Sequence, residues 1–389
     1  MRHFHDLDQA VRERLFARPP QWFDRHARLE TLAGALGATL YMPATRLTLS
    51  QDLLRQGAAG VMSCVVCLED AIPDDMVAAA QTNVVAQLRT LAAHGDDAPV
   101  PLVFIRVRHV EQIPAIVGAL GEQLPILSGF VLPKFTDLTG DAYLDAIEDA
   151  ALSSGQRLLA MPVIESPDVI YRESRQETLI GTSRLLAKHR ESVLAVRIGA
   201  TDLCAAYGIR RSPELTVYDV GAVADVIYDV VNILGRSDGS GFTVTGPVWE
   251  YFPNRDRLFK PQLRQSPFEA RQAPVLRHQL ITSDMDGLLR EIVLDKANGL
   301  IGKTVIHPSH VAAVHALSVV TYEEYADATD VLGQHDAGGG VLASRFGNKM
   351  NEAKPHFAWA ERIMARAAVF GVAAEDVNFV DLLAAREIA

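Results

Sequence analysis

The stretch Arg157-Leu-Leu-Ala-Met-Pro-Val-Ile-Glu165 decides the fold. Successive side chains of a strand point to opposite faces, so the unbroken apolar run from Leu158 to Ile164 needs both of its faces buried. A strand of an antiparallel sandwich, wet on one side, would alternate polar and apolar residues instead. A parallel sheet covered by helices is the arrangement that satisfies such a run. The run stops at Glu165, which puts an acid at the strand's C-terminal end.

Outward from this stretch the same pattern recurs at Ala38 to Met42, Val61 to Leu68, Leu102 to Val107, Gly129 to Leu132, Val193 to Ile198, Phe242 to Thr245 and Leu300 to Ile306, giving eight strands with Leu158 to Ile164. The intervening segments Met76 to Leu91, Ala142 to Leu152, Glu177 to Lys188 and Val220 to Leu234 are long and apolar enough to be crossover helices. The expectation is an α/β fold, a (β/α)8 TIM barrel with a C-terminal helical extension. Residues 1–37 read as an N-terminal extension packed on the barrel, 38–334 as the barrel, and 335–389 as a C-terminal lid or helical extension. The Gly338-Gly-Gly run marks the last boundary. Beyond it Pro355 to Phe370 reads as a helix with Trp359, Ile363, Met364 and Ala367 on one face. The polar segment Arg345, Asn348, Lys349, Asn351, Glu352 is placed where a hinge closes over a site.

A net charge of −11 argues against a protein that grips nucleic-acid phosphates or an anionic membrane. Three cysteines, Cys64, Cys67 and Cys204, suit a reducing compartment, so the expected location is the cytoplasm. Cys64 and Cys67 are three apart on a strand and face opposite ways, so packing is their expected role. Asp6, Asp8, Arg12, Glu13 and Arg14 stand where a signal peptide needs an apolar stretch, and no segment reaches membrane-spanning length.

A barrel enzyme keeps its chemistry at the C-terminal ends of its strands. Here those ends carry Arg46, Glu69-Asp70, Arg106 and Arg108, Lys134, Glu165, Asp202, Glu250 and His307. Each alone marks no more than a chain returning to solvent; a full ring brings acids and cations together. Glu165 and Asp202 make the best metal pair, because Mg2+ is held by one or two carboxylates and keeps positions for water and substrate. Such an ion stabilises the enolate oxygen when a neighbouring carbon–carbon bond breaks, and Arg106 adds a fixed charge. Lys134 as a Schiff-base lysine would leave the acid pair without a task, so it is read as an anion binder. His307 and His310 serve equally as ligands or as structural hydrogen bonders. The basic loop Arg255, Arg257, Lys260, Arg264, Arg271, Arg277 opens an alternative, a phosphorylated or nucleotide-like substrate. A non-catalytic scaffold is the remaining alternative, disfavoured by keeping like charges close.

The motifs Leu40-Tyr-Met-Pro-Ala-Thr-Arg, Cys67-Leu-Glu-Asp-Ala, Phe104-Ile-Arg-Val, Val131-Leu-Pro-Lys, Val163-Ile-Glu-Ser, Gly199-Ala-Thr-Asp-Leu and Gly302-Lys-Thr-Val-Ile-His-Pro, in this order, resemble the HpcH/HpaI aldolase and citrate lyase β-subunit superfamily. His3-Phe-His5, Gly246-Pro-Val-Trp-Glu-Tyr-Phe and Gly347-Asn-Lys-Met-Asn-Glu resemble its C–C bond lyase branch of TIM-barrel fold, associated with bacterial tellurium-resistance and stress gene clusters. The resemblance implies a Mg2+-dependent lyase or aldolase, with Mn2+ as a substitute, acting on a CoA thioester or a 2-oxo acid and assembled as a homo-oligomer, trimer or hexamer. It implies Glu165 and Asp202 as metal ligands, Arg106 in contact with substrate, and Glu69 and Asp70 beside the metal; the ring of strand ends is read as Arg106, Glu69 and Asp70 for catalysis and Arg46, Lys134, Glu250 and His307 for substrate binding. Cys67 stands where the superfamily commonly has Asp, so the surroundings of the metal differ here.

Overall fold

A computed structural model describes residues 1–95, 98–252 and 285–388. The barrel strands are β1 (Ala38–Pro43), β2 (Ser63–Cys67), β3 (Leu102–Arg106), β4 (Leu127–Leu132), β5 (Leu159–Ile164), β6 (Arg197–Ile198), β7 (Gly246–Trp249) and β8 (Lys303–Val305). They form one parallel sheet in the order β6-β5-β4-β3-β2-β1-β8-β7. Its two ends meet at a parallel bridge between Val196 and Val244, which closes the barrel. The helices after successive strands are α1 (Leu49–Ala58), α2 (Val77–Ala92), α3 (Gln112–Leu120), α4 (Asp137–Ser154), α5 (Arg172–Lys188), α6 (Gly221–Leu234), α7 (Met285–Ala297) and α8 (Ser309–Ser318).

Every residue of β2, β4 and β5 is buried, as their continuous apolar runs require of strands sandwiched between barrel lumen and helices. Local chemistry sets the ends of the helices between them. In α4 the Thr136 hydroxyl caps the first turn by accepting from the Thr139 N–H at 3.3 Å, and Gly155 at φ +66 ends the helix.

The seventh strand departs from the sequence expectation. Phe242 to Thr245 contributes only the bridge at Val244, and the named strand is Gly246–Trp249, paired to β8 through Gly246 with Lys303 and Trp249 with Val305. Pro247 lacks a donor N–H and reads from sequence as a strand breaker, yet the register of β7 on β8 shifts between Gly246 and Trp249, so the proline is passed over.

After the barrel come α9 (Tyr322–Asp336), a short hairpin of Val341–Ala343 with Met350–Glu352, and α10 (Phe357–Phe370). Val320, Ala328, Val331, Ala360, Ile363, Ala367 and Val372 form an apolar cluster of their own between α9 and α10. Ile363 and Ala367 lie on the buried face as expected, whereas Trp359 is 37% exposed at its edge. The hairpin is tied to Asp327 of α9 by Lys349 at 2.8 Å, Ser344 at 2.7 Å and Asn351 at 2.8 Å. The chain's two ends meet where Phe16–Arg18 pairs with Val372–Ala373. Among the described residues no helix is long and apolar enough to cross a membrane.

Candidate active site

Arg106, the last residue of β3, is the hub of the strand mouths. Its Nη2 lies 2.7 Å from Glu165 Oε1, 2.7 Å from Glu69 Oε2 and 3.4 Å from Asp70 Oδ2. Lys134, just past β4, supplies a second cation: its Nζ is 2.5 Å from Glu69 Oε1 and 3.5 Å from Asp70 Oδ2. Its backbone stands at φ +48, a left-handed conformation uncommon for a residue with a side chain. That turn lets one residue act twice, because the Lys134 N–H also donates to Glu165 Oε1 at 3.1 Å.

Glu165 is 2% exposed and its carboxyl is pushed up to about 7, first by burial, against the pull of Arg106 and with a push from the negative charge of Asp202. Gly199 after β6 makes room for it: a methyl group there would stand 1.9 Å from Glu165 Oε2. Its φ of −91 suits any residue, so the glycine is needed for space alone. Burial also raises Asp70, with Glu69 adding to the effect. At Glu69 burial pushes up but is outweighed by hydrogen bonding from Asp70, the charge of Arg106 and the bond from Lys134, and the carboxyl is lowered.

Asp202 sits in the first turn of the short helix Ala200–Ala205 and is half-buried. Its carboxylate makes no hydrogen bond or ion pair to a described side chain, yet its charge is felt by both Glu165 and Lys134. Four acids, Glu69, Asp70, Glu165 and Asp202, thus face two cations. When all are ionised two negative charges are left over, which one divalent cation would balance, and hard carboxylate oxygens suit Mg2+. Glu250, directly after β7, accepts from Thr201 Oγ1 at 2.8 Å and from Arg211 Nε at 3.3 Å, which ties it to the helix that carries Asp202.

Two of the sequence-selected residues are engaged elsewhere. Arg46 holds Asp52 of α1 through Nε at 2.8 Å and Nη2 at 2.7 Å. His307 stacks on Phe252 with ring centres 5.0 Å apart and pairs through Nδ1 with the Ser309 hydroxyl at 2.7 Å. Cys64 and Cys67 are buried free thiols. The basic loop Arg255 to Arg277 lies outside the described residues.

Sequence reading passed over Tyr143 and Arg197, and placed Arg108 beside Arg106 at the end of the third strand without giving it a role. Arg108 donates to the carbonyls of Glu69 at 2.9 Å and Leu68 at 3.3 Å and pairs with Asp74, so it fixes the loop that presents Glu69 and Asp70. Tyr143 of α4 donates to the Arg108 carbonyl at 3.2 Å. With His109 and Lys134 these residues line a cavity of about 560 Å3 beside the acids, a volume suited to a small molecule. Arg197 of β6 is 1% exposed inside the barrel, where the hydroxyls of Thr39 and Thr304 accept from it and its guanidinium lies 5.5 Å from the centre of the Tyr41 ring. A charge inside the apolar β6 run was the available signal for Arg197.

The profile of the C–C bond lyase family of the TIM-barrel fold matches residues 30–372, and the chain belongs to that family. It is a carbon–carbon lyase. No curated protein matches the sequence. Among solved structures, the Mycobacterium tuberculosis protein CitE in complex with magnesium, acetoacetate and coenzyme A is 18% identical over 86% of this chain and 99% of its own, with a TM-score of 0.51, a likeness of fold. A citrate lyase β subunit from M. tuberculosis complexed with oxaloacetate and magnesium is 16% identical (73% and 97% covered, TM-score 0.43). A Haloferax volcanii malate synthase ternary complex with pyruvate and acetyl-CoA is 13% identical (83% and 89% covered, TM-score 0.46).

Proposed function

We propose that the chain is a Mg2+-dependent lyase that cleaves or forms a carbon–carbon bond next to the carbonyl of a CoA thioester or 2-oxo acid, with Glu165 and Asp202 as the metal's protein ligands and Mn2+ as a substitute. The observation that carries this reading is a buried Glu165, held by Arg106, that feels the charge of Asp202, whose carboxylate has no partner among the described side chains. When bound, the ion supplies Lewis-acid stabilisation of the charge that builds on a carbonyl oxygen as the adjacent bond breaks.

The chain's own residues do the rest. Arg106 holds Glu165 and Glu69 in fixed positions through one nitrogen, and a positive charge fixed before reaction costs no reorganisation when negative charge develops beside it. Lys134, half-exposed at the cavity, presents an ammonium to a substrate carboxylate. Glu69 and Asp70 orient water or substrate from the opposite side, held there by Arg108. Glu250 steadies the helix of Asp202 and reaches substrate with it. Arg46 and His307 contact substrate only on leaving Asp52 and Phe252.

The magnesium, acetoacetate and coenzyme A found with the M. tuberculosis protein support this choice of ion and substrate class. Assembly as a trimer or hexamer and a stress-linked role near tellurium-resistance genes rest on the sequence resemblance, and a cytoplasmic location on the three cysteines. Asp202→Ala is expected to abolish stoichiometric Mg2+ binding in titration calorimetry. Unchanged affinity in a folded variant would refute the metal assignment.

A further inference from the structure

A second group of ligand-type side chains lies on the outside of the barrel, where α4 packs against the end of α5. Asp141, Asp145 and Glu148 follow one another on α4 at spacings of four and three, so they share a face of the helix. His189, directly after α5, is 3% exposed and points at that face. Its Nδ1 is 2.7 Å from Glu148 Oε1, and an ionised carboxylate only accepts, so Nδ1 carries a proton. The other nitrogen, Nε2, is buried and makes no hydrogen bond. It stands 3.4 Å from Asp141 Oδ1 and 3.9 Å from Asp145 Oδ1, with all three ligand atoms within 4.8 Å of one another.

A buried Nε2 without a hydrogen bond, aimed between two carboxylates, calls for positive charge at that point, either a second ring proton or a metal ion. Lys188 partly supplies that charge from the exposed side, its Nζ 3.0 Å from Asp141 and 4.0 Å from Asp145, yet it makes no hydrogen bond to Nε2. We propose that Asp141, Asp145 and His189 bind a divalent transition metal of the zinc class, with Glu148 orienting the histidine from behind and Lys188 competing for the place. Tetrahedral zinc with ligands at about 2.0–2.1 Å sets neighbouring donor atoms roughly 3.3 Å apart, so the His189 to Asp141 distance needs almost no adjustment. A carboxylate behind a ligating histidine is the usual outer partner of such sites. The mixed nitrogen and carboxylate donors separate this site from the oxygen-only pair of Glu165 and Asp202.

The test is Co2+ titration of the full chain in saturating Mg2+, read by calorimetry and by the visible absorption of tetrahedral Co2+. One Co2+ is expected to bind, with Asp202→Asn retaining it, so that failure here and failure of the Mg2+ assignment are separable. His189→Gln should abolish the absorption, and the exposed Asp145→Asn, which leaves the core untouched, should weaken binding about tenfold or more. Lys188→Ala should tighten it by removing the competitor. Identical titrations for the wild type, Asp145→Asn and Lys188→Ala, or no Co2+ uptake by any of them, would overturn the proposal.

Discussion

Replacing Gly199 with alanine tests the site through its geometry. The added methyl group would stand 1.9 Å from Glu165 Oε2 and 2.5 Å from its Cβ, about 1.5 Å short of the 3.4 Å where ordinary contact begins. Glu165 has little freedom to yield, since it is 2% exposed and its other oxygen is held by Arg106 at 2.7 Å and by the Lys134 N–H at 3.1 Å. Mg2+ demands oxygen ligands at about 2.0–2.1 Å in near-ideal octahedral geometry, so a shift of that size removes the ligand altogether. Overpacking of this kind costs about 1–3 kcal/mol, which leaves the protein folded. Mg2+ affinity in calorimetry should fall about 10–100-fold, the range seen when a residue supporting a metal ligand is disturbed. Gly118→Ala, within α3 and facing open space, is the control and should leave binding unchanged. A folded Gly199→Ala protein that binds Mg2+ like the wild type would show that Glu165 is not a ligand.

Three other outcomes are expected. Lys303 is fully buried between Glu291 at 2.9 Å and Asp295 at 2.7 Å, so Lys303→Met should leave Asp295 without its cation and Glu291 with Arg211 alone, and destabilise the protein by about 3–5 kcal/mol in denaturant melts; a loss below 1 kcal/mol would show the Lys303 pairs to be dispensable. His3, buried against His315 and Phe370, is lowered to about 3 chiefly by burial. Its folded value lies below its unfolded one, so the unfolded chain takes up the proton first and stability is lost as pH falls below about 6.5. At pH 5 that loss amounts to about 2 kcal/mol, which His3→Phe should remove from the difference between melts at pH 7.5 and pH 5; an unaltered difference would place the acid sensitivity elsewhere. Lys134→Met should weaken oxaloacetate binding in the presence of Mg2+ about tenfold, the worth of one charge-assisted contact, and an unchanged Kd would remove Lys134 from substrate recognition.

The acids and cations at the strand mouths were legible because a barrel makes sequence position predict spatial position: a residue that ends an apolar run stands at the rim whatever the run's partners are. Glu69, Arg106, Lys134 and Glu165 are in contact for that reason. Arg46 and His307 obey the same rule, yet a rim position leaves the side chain's choice of partner open, and Asp52 and Phe252 are nearer competitors. The strand at Gly246–Trp249 was misplaced because composition favoured Phe-Thr-Val-Thr over a segment containing proline, while pairing with β8 decided the matter.

The sequence by itself determined the number and order of the barrel strands and which residues reach the rim, since periodic burial is a local property of the chain. Only the closed tertiary structure decided that one guanidinium nitrogen would hold three acids, that Gly199 must lack a side chain, and that His189 would aim a nitrogen without a hydrogen bond at Asp141 and Asp145. Those facts depend on distances between segments far apart in sequence, which are set when the barrel shuts and the helices settle around it.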